Sequence, residues 1–158
     1  MILDTERKMM MSRIYTIGFT KKDARTFFEL LRKNEIKTLL DIRLNNVSQL
    51  AGFAKGNDLK FFLKEILNVE YIHDTRFSPT KDLLDRYKGA KTTWLDYEKE
   101  FVDILIKRNI KNVIQNEYVE KLDRICLLCS EFEADQCHRR LVAEYIMDNF
   151  DNIEIIHI

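Results

Sequence analysis

The sequence contains few of the residues that interrupt regular structure: 158 residues include four glycines and one proline. Flexible linkers and low-complexity tails are rich in these residue types, so the composition argues against both. Apolar residues make up 46% of the chain and charged residues 33%, as is typical of a soluble globular protein. The chain is long enough to bury a core, and we expect residues 13–158 to form a single domain.

The chain also lacks a long hydrophobic run, since no apolar stretch approaches the roughly 20 residues of a membrane-spanning helix. Residues 1–12 mix charges with three consecutive methionines and lack the apolar core of a signal peptide. We expect them to form a disordered or extended leader. The three cysteines all lie between Cys126 and Cys137, and this odd, clustered set does not suggest a secreted disulfide framework. These features predict a cytoplasmic protein with no membrane partner.

Neither sign of charge is in excess, because 26 lysines and arginines balance 26 aspartates and glutamates. This balance argues against a large basic surface for nucleic acid, although a local basic patch is compatible with it. The sequence therefore favours a small anionic ligand over nucleic acid as the partner.

Short β-branched or apolar runs alternate along the chain with amphipathic segments of helical period. The runs predicted as strands are 13–18, 38–43, 70–73, 125–129 and 153–158. The segments predicted as helices are 21–33 with Thr20 as N-cap, one around 59–66, one after Thr80, one after Thr93, and 137–149, while 109–123 weakly favours a helix. This alternation predicts a three-layer, Rossmann-like α/β fold, with a mostly parallel sheet covered by helices on both faces.

The densest group of reactive side chains lies in residues 125–140. A predicted strand leads to Cys129 and Glu131, and a predicted helix begins at Cys137, His138 and Arg139. In open α/β sheets, ligands bind at the carboxyl ends of strands, where helices begin. Backbone N–H groups at a helix start attract anions, and guanidinium groups add charge and forked donors. We therefore predict an anion site for a phosphate or a nucleotide-like group.

The candidate catalytic residues are Cys129, Glu131, Cys137 and His138. A cysteine at a helix start has a lowered pKa, so one of the two thiols is a candidate nucleophile. Glu131 or His138 would transfer protons. In the alternative interpretation the thiols pack as small apolar residues, and Glu131 forms a structural ion pair with Arg43 or Arg139.

The candidate substrate-binding residues are Thr20, Asp41, Arg43 and Arg139. Alternation places Asp41 and Arg43 on the same face of the second strand. If this strand, the first strand and 125–129 are neighbours, their polar ends meet at one edge, where Arg43 and Arg139 would hold the anion. Asp41 would hold Arg43 or accept a hydrogen bond from a substrate hydroxyl, the alternative being an ion pair at the sheet edge.

A zinc site made by Cys126, Cys129, Cys137 and His138 is not favoured. Cys126 and Cys129 face opposite sides of a strand, whereas metal-binding C-x-x-C pairs need a turn, and Leu127-Leu128 is a poor turn. The same argument disfavours a redox C-x-x-C pair. We therefore predict no metal and no other cofactor.

Several short motifs in the chain resemble those of a known family. They are Tyr15-Thr16-Ile17-Gly18, Asp41-x-Arg43 with Ser48 and Phe53, Tyr71-x-His73, Pro79-Thr80, Tyr87-Lys88, Trp94, Tyr97, Leu127-Leu128-Cys129-Ser130-Glu131 and Cys137-His138-Arg139. From Tyr15 to the C-terminus the chain resembles the family catalogued as domain of unknown function 488. Gly18-Phe19-Thr20 departs from that family's frequent Gly-His-Ser. The resemblance implies an α/β fold and supplies no reaction.

The residues favour a small enzyme, a hydrolase or transferase, acting on a small phosphorylated or nucleotide-like substrate. The alternative is a non-catalytic module that recognises a nucleotide or nucleic-acid phosphate with the same anion site. Steep salt dependence of DNA or RNA binding would support that module. In a third, purely structural interpretation, the motif clamps a helix to a strand, and no cavity lies beside Arg139.

Overall fold

The computed structural model describes residues 10–47 and 51–158, which form a parallel sheet covered by helices. The strands are β1 (Ser12–Gly18), β2 (Thr38–Asp41), β3 (Glu70–His73), β4 (Ile125–Cys129) and β5 (Ile153–His157). All neighbouring strands pair in parallel, in the order β3-β2-β4-β1-β5. The predicted α/β fold is confirmed, and β4 lies between β1 and β2. Residues 1–9 of the predicted leader and Ser48 of the family motif lie outside the described residues.

The helices cover both faces of this sheet. They are α1 (Ala24–Lys33), α2 (Gly56–Phe62), α3 (Lys81–Lys88), α4 (Trp94–Lys107), α5 (Ile110–Val113) and α6 (His138–Asn149). π-helical turns extend α2 over Leu63–Leu67 and α5 over Ile114–Tyr118, and 3₁₀ turns span Gly52–Ala54, Thr75–Phe77 and Val119–Lys121. In the described part of the chain, no helix has the length and apolar character needed to cross a bilayer.

The predicted N-caps are confirmed for two helices and wrong for the first. Thr80 and Thr93 cap α3 and α4 through their side chains. Helix α1 begins at Ala24 and is capped by Asp23, whose carboxylate accepts a hydrogen bond from the Thr26 N–H at 2.7 Å. Lys21 has a φ of 61°, a left-handed conformation that no helix contains, so α1 cannot begin directly after Thr20.

Two hydrophobic clusters lie on opposite faces of the sheet. Helices α1 and α2 pack on one face, together with Cys126 and Leu128 of β4. Helices α3, α4 and α6 pack on the other face, with Ile125 and Leu127 of β4. Cys129 shares this second face by alternation, so Cys126 and Cys129 point to opposite sides of the strand as predicted.

The connections after β2 and β4 diverge at the carboxyl end of the sheet. The chain leaving β2 continues to α2 on one face, whereas the chain leaving β4 continues to α6 on the other. Such divergence between adjacent parallel strands opens a crevice in which ligands bind. Because β2 and β4 are hydrogen-bonded neighbours, the ends of both strands border this crevice.

Candidate functional site

A cleft of about 520 Å³ lies at the carboxyl ends of β2 and β4. Its lining includes five of the predicted site residues, Arg43, Cys129, Glu131, Cys137 and His138. Aromatic side chains from α3 and α4 form another part of the lining, namely Tyr87, Trp94 and Tyr97. The structure thus brings these five predicted residues together in one cleft at the strand ends.

A smaller groove of about 390 Å³ lies beside α1 and α2. Its lining is mainly apolar, with Phe28, Phe53 and Phe62 among the contributing side chains. Among the residues that the structure describes, those lining this groove carry no thiol, imidazole or hydroxyl group. We therefore take the cleft between β2 and β4 as the candidate site.

The imidazole of His138 lies against the thiols at the base of the cleft. Cys129 Sγ is 3.4 Å from His138 Nδ1, while His138 Nε2 is 2.9 Å from the carbonyl oxygen of Ile42. A carbonyl oxygen only accepts hydrogen bonds, so Nε2 carries the proton and donates it to Ile42. In the neutral ring the lone pair is then on Nδ1, and both ring nitrogens lie near Cys129 Sγ, at 3.4 and 3.8 Å.

Cys137 occupies the N-cap position of α6, where the helix dipole favours negative charge. A hydrogen bond from the Cys129 thiol lowers the pKa of Cys137 well below its ordinary value, despite burial. The same hydrogen bond, together with burial, raises the pKa of Cys129. Cys137 is therefore the thiol that ionises first, and Cys129 is the donor that stabilises its thiolate.

Arg43 is 3% exposed, lies just beyond the end of β2, which is two residues shorter than predicted, and is held by the carboxylate of Asp41. Its Nε donates to Asp41 Oδ1 at 2.8 Å, and its Nη2 donates to Asp41 Oδ2 at 2.6 Å and to the Ala54 carbonyl at 2.8 Å. Burial alone would lower the pKa of Arg43, but Asp41 more than offsets this and raises it. The buried Nη1 has no hydrogen-bond partner among the described residues. A guanidinium group that lines the cleft thus has one donor unused.

Three predicted substrate-binding residues do not line the cleft. Asp41 is fully buried and accepts hydrogen bonds from Arg43 and from the Tyr71 hydroxyl. Arg139 donates from Nε to Thr16 Oγ1 at 3.3 Å and from its Nη atoms to the carbonyls of Glu131 and Phe132. Arg139 therefore has the clamping role of the structural interpretation, since it ties α6 to β1 and to the loop after β4. That interpretation also predicted no cavity beside Arg139, whereas the neighbouring residue His138 lines a cleft.

The same loop is held by Gly18, at the end of β1, and by Thr20, two residues beyond it. A Cβ atom at Gly18 would lie 1.6 Å from the carbonyl oxygen of Glu131, so only glycine permits this approach. The backbone N–H of Thr20 donates to the Ser130 carbonyl at 3.1 Å, and its hydroxyl donates to the same oxygen. Thr20 is thus not part of the cleft lining, but it holds Ser130, which is.

The Glu131 carboxylate is exposed and forms no ion pair with any described residue. The alternative in which Glu131 pairs with Arg43 or Arg139 is therefore wrong for the described chain. Its side chain instead lies at the edge of the cleft and is free to meet a ligand.

Sequence reasoning missed the residues that support Arg43 and His138. Tyr71 binds Asp41 at 2.6 Å, and His73 Nε2 lies 2.8 Å from the carbonyl oxygen of Arg43. The motif Tyr71-x-His73 and the adjacent-strand pairing would have indicated both, since β2 and β3 are neighbours. The contact of His138 with Ile42, in contrast, uses a backbone carbonyl, which every residue has, so the sequence could not have indicated it.

The sequence profile of a family described as Domain of unknown function DUF488 matches residues 23–146 of the chain. This range includes the Asp41 and Cys137 motifs but begins after Gly18, so it is shorter than the resemblance noted in the sequence. No curated protein and no solved structure matches the chain. Because the profile covers more than half of the 158 residues, the chain belongs to the DUF488 family.

Proposed function

We propose that this protein is a small enzyme, a hydrolase or transferase, that binds an anionic substrate in the cleft between β2 and β4. The observation that carries this proposal is the unpartnered Nη1 of Arg43, which is buried at a cleft that also contains two thiols and an imidazole. Buried donors are nearly always hydrogen-bonded, and leaving one unpaired costs roughly 1–3 kcal/mol. A phosphate or carboxylate oxygen of a substrate would supply the missing acceptor.

The cleft suits a small molecule better than a polymer. Its volume of about 520 Å³ lies within the usual range for small-molecule sites. Lys88 also lines it and adds a second cation for a phosphorylated or nucleotide-like substrate. A reducing compartment such as the cytoplasm, which the sequence predicts, would keep all three thiols free.

Cys137 is the proposed nucleophile. Its thiolate attacks the electrophilic centre of the substrate, so that a bond to Sγ forms while the bond to the leaving group breaks. His138 takes the proton of Cys137 at Nδ1 as the thiolate forms, and gives that proton to the leaving group. Attack by water then breaks the bond to Sγ and restores the thiolate, with Glu131 positioned at the cleft edge to accept the proton from water. Another acceptor in place of water would make the protein a transferase.

The test compares two alkylating reagents of similar size on metal-free protein, anionic iodoacetate and neutral iodoacetamide. Arg43 should attract the carboxylate, so Cys137 should react with iodoacetate faster, relative to iodoacetamide, than a model thiol does. Inorganic phosphate should slow both reactions, while sodium chloride of equal ionic strength should not. Mass spectrometry of peptides locates the label, and Cys126, fully buried on the opposite face, should stay unmodified as an internal control.

Two results would count against the proposal. If both reagents react with Cys137 no faster than with a model thiol, the nucleophile is dismissed. If phosphate also gives no protection, the anion site is dismissed with it. Steep salt dependence of DNA or RNA binding, without enhanced thiol reactivity, would favour the non-catalytic phosphate-binding module instead.

A further inference from the structure

The two thiols and the imidazole of the cleft also form a compact set of metal ligands. We propose that Cys129 Sγ, Cys137 Sγ and His138 Nδ1 bind one soft divalent metal ion, for which zinc is the best fit. Their three donor atoms all lie within 4.8 Å of one another. In the described part of the chain, no other three His, Cys or acidic residues form such a group. Soft thiolate ligands combined with imidazole select zinc over magnesium or calcium.

One donor distance already matches that of a zinc site. With Zn–S near 2.3 Å and Zn–N near 2.0–2.1 Å, tetrahedral geometry puts sulfur and nitrogen ligands roughly 3.5 Å apart. Cys129 Sγ lies 3.4 Å from His138 Nδ1. The sequence argued against a zinc site because Cys126 and Cys129 face opposite sides of the strand. Cys126 does lie on the opposite face, but the proposed site uses only the other three residues.

The surroundings of His138 are those of a metal-binding histidine. Such a histidine usually donates its other ring N–H to a carbonyl or carboxylate, which fixes the tautomer and the ring orientation. His138 Nε2 donates to the Ile42 carbonyl at 2.9 Å, and the buried hydroxyl of Ser78 donates to the same oxygen at 2.8 Å. The carbonyl is thus itself held in place. Cys129 Sγ lies 3.4 Å from Nδ1 and 3.8 Å from Nε2, so it sits beside the ring, and metal binding requires the Cys129 side chain to shift toward the Nδ1 lone pair.

Charge and access both fit a bound divalent ion. Two thiolates and a neutral imidazole balance a charge of +2, so the occupied site is neutral, and the N-terminus of α6 supports the thiolates. All three ligands line the cleft, so the fourth tetrahedral position faces it. Zinc sites that carry out catalysis keep such an open position, whereas purely structural sites are closed by a fourth protein ligand.

The metal inference uses the cleft of the proposed function but does not depend on Arg43, so the two stand or fall separately. A thiolate that shares its electron pair with zinc is a poor nucleophile, so metal binding should suppress alkylation of Cys137. Water on the fourth position, made more acidic by the ion, would then replace the thiolate as the attacking group.

The experiment titrates Co²⁺ into chelator-treated, reduced full-length protein and then displaces it with Zn²⁺. We expect one Co²⁺ per chain, with thiolate-to-cobalt charge-transfer absorption, and release of the Cys129 thiol proton when Zn²⁺ binds. Cys129→Ser, Cys137→Ser and His138→Gln should each weaken binding by more than the ~100-fold typical of losing a supporting partner. Cys126→Ser, the matched thiol control, should bind as tightly as wild type.

The inference is overturned if wild-type protein shows no charge-transfer band, or if Cys126→Ser weakens binding as much as Cys129→Ser. Circular dichroism identifies any variant that does not fold, and the wild-type titration decides the question without the variants. Phosphate protection without cobalt binding would remove only the metal site. Cobalt binding without phosphate protection would remove the proposed anion site and leave the metal site standing.

Discussion

Removing the charge of Asp41 tests whether the buried ion pair with Arg43 organises the cleft. Asp41 is 0% and Arg43 3% exposed, and the carboxylate accepts hydrogen bonds from three Arg43 nitrogens and from the Tyr71 hydroxyl. In Asp41→Asn the side chain keeps its shape but has only one acceptor oxygen. Its NH₂ group, itself a donor, then faces donors of Arg43 or Tyr71. Because a guanidinium does not lose its proton, Arg43 stays charged and buried without a counterion.

Breaking a buried pair in this way costs about 3–5 kcal/mol. That is a large part of the 5–15 kcal/mol by which a domain is typically stable. With a urea slope near 2 kcal/mol/M, the midpoint of unfolding should fall by about 1.5–2.5 M. Replacing both partners, as in Asp41→Asn with Arg43→Met, removes the uncompensated charge, so the double variant should lose clearly less than the sum of the single losses.

Urea unfolding followed by the fluorescence of Trp94 measures all these midpoints. The matched control is Asp85→Asn, which breaks the exposed pair with Lys81 on α3 and should leave the midpoint almost unchanged. The explanation is refuted if Asp41→Asn shifts the midpoint no more than this control does. Additive losses in the double variant would refute it too, because the two residues would then act independently.

Two further predictions concern the loop and the thiolate. Gly18→Ala should lower stability by about 1–3 kcal/mol, because its Cβ meets the Glu131 carbonyl. Gly52→Ala, whose Cβ would meet no described atom within 4 Å, should not, and equal urea midpoints for the two variants would contradict this. Alkylation of Cys137 should reach half its maximal rate below the ordinary thiol pKa of about 8.5, because its pKa is lowered. Cys129→Ala should move that midpoint to higher pH, and an unchanged profile would show that Cys129 does not stabilise the thiolate.

Most of the sheet was predictable because its central strands, β1, β2 and β4, are largely buried on both faces and therefore appear as short apolar runs between polar residues. The predicted bounds of β3 and β4 agree with the structure. The start of α1 was not predictable in the same way. Thr20 is a good capping residue locally, but its hydrogen bonds to Ser130 and the left-handed Lys21 hold it outside the helix.

The residues of the site were predictable as a group, but their individual roles were not. Strand ends and a helix start placed Cys129 and Cys137 at one edge of the sheet, and the structure brings them together in the cleft. The direction of Arg139 depends on Thr16 and on carbonyls of a loop whose path no local pattern encodes. The proximity of Cys129 to Cys137 and His138 depends equally on how that loop brings the start of α6 back to the end of β4.

The difference between the two buried arginines decides where an anion would bind. Each of the side-chain nitrogens of Arg139 has an acceptor within the described protein, as expected of an arginine that only supports structure. Arg43 is equally buried but has an unused donor at the end of β2, beside the thiols. Arg140 Nε also lacks a hydrogen bond, yet it lies 3.4 Å from the Glu144 carboxylate, which compensates its charge. Whether Cys137 or a metal-bound water attacks, the negative group of the substrate should therefore bind at Arg43.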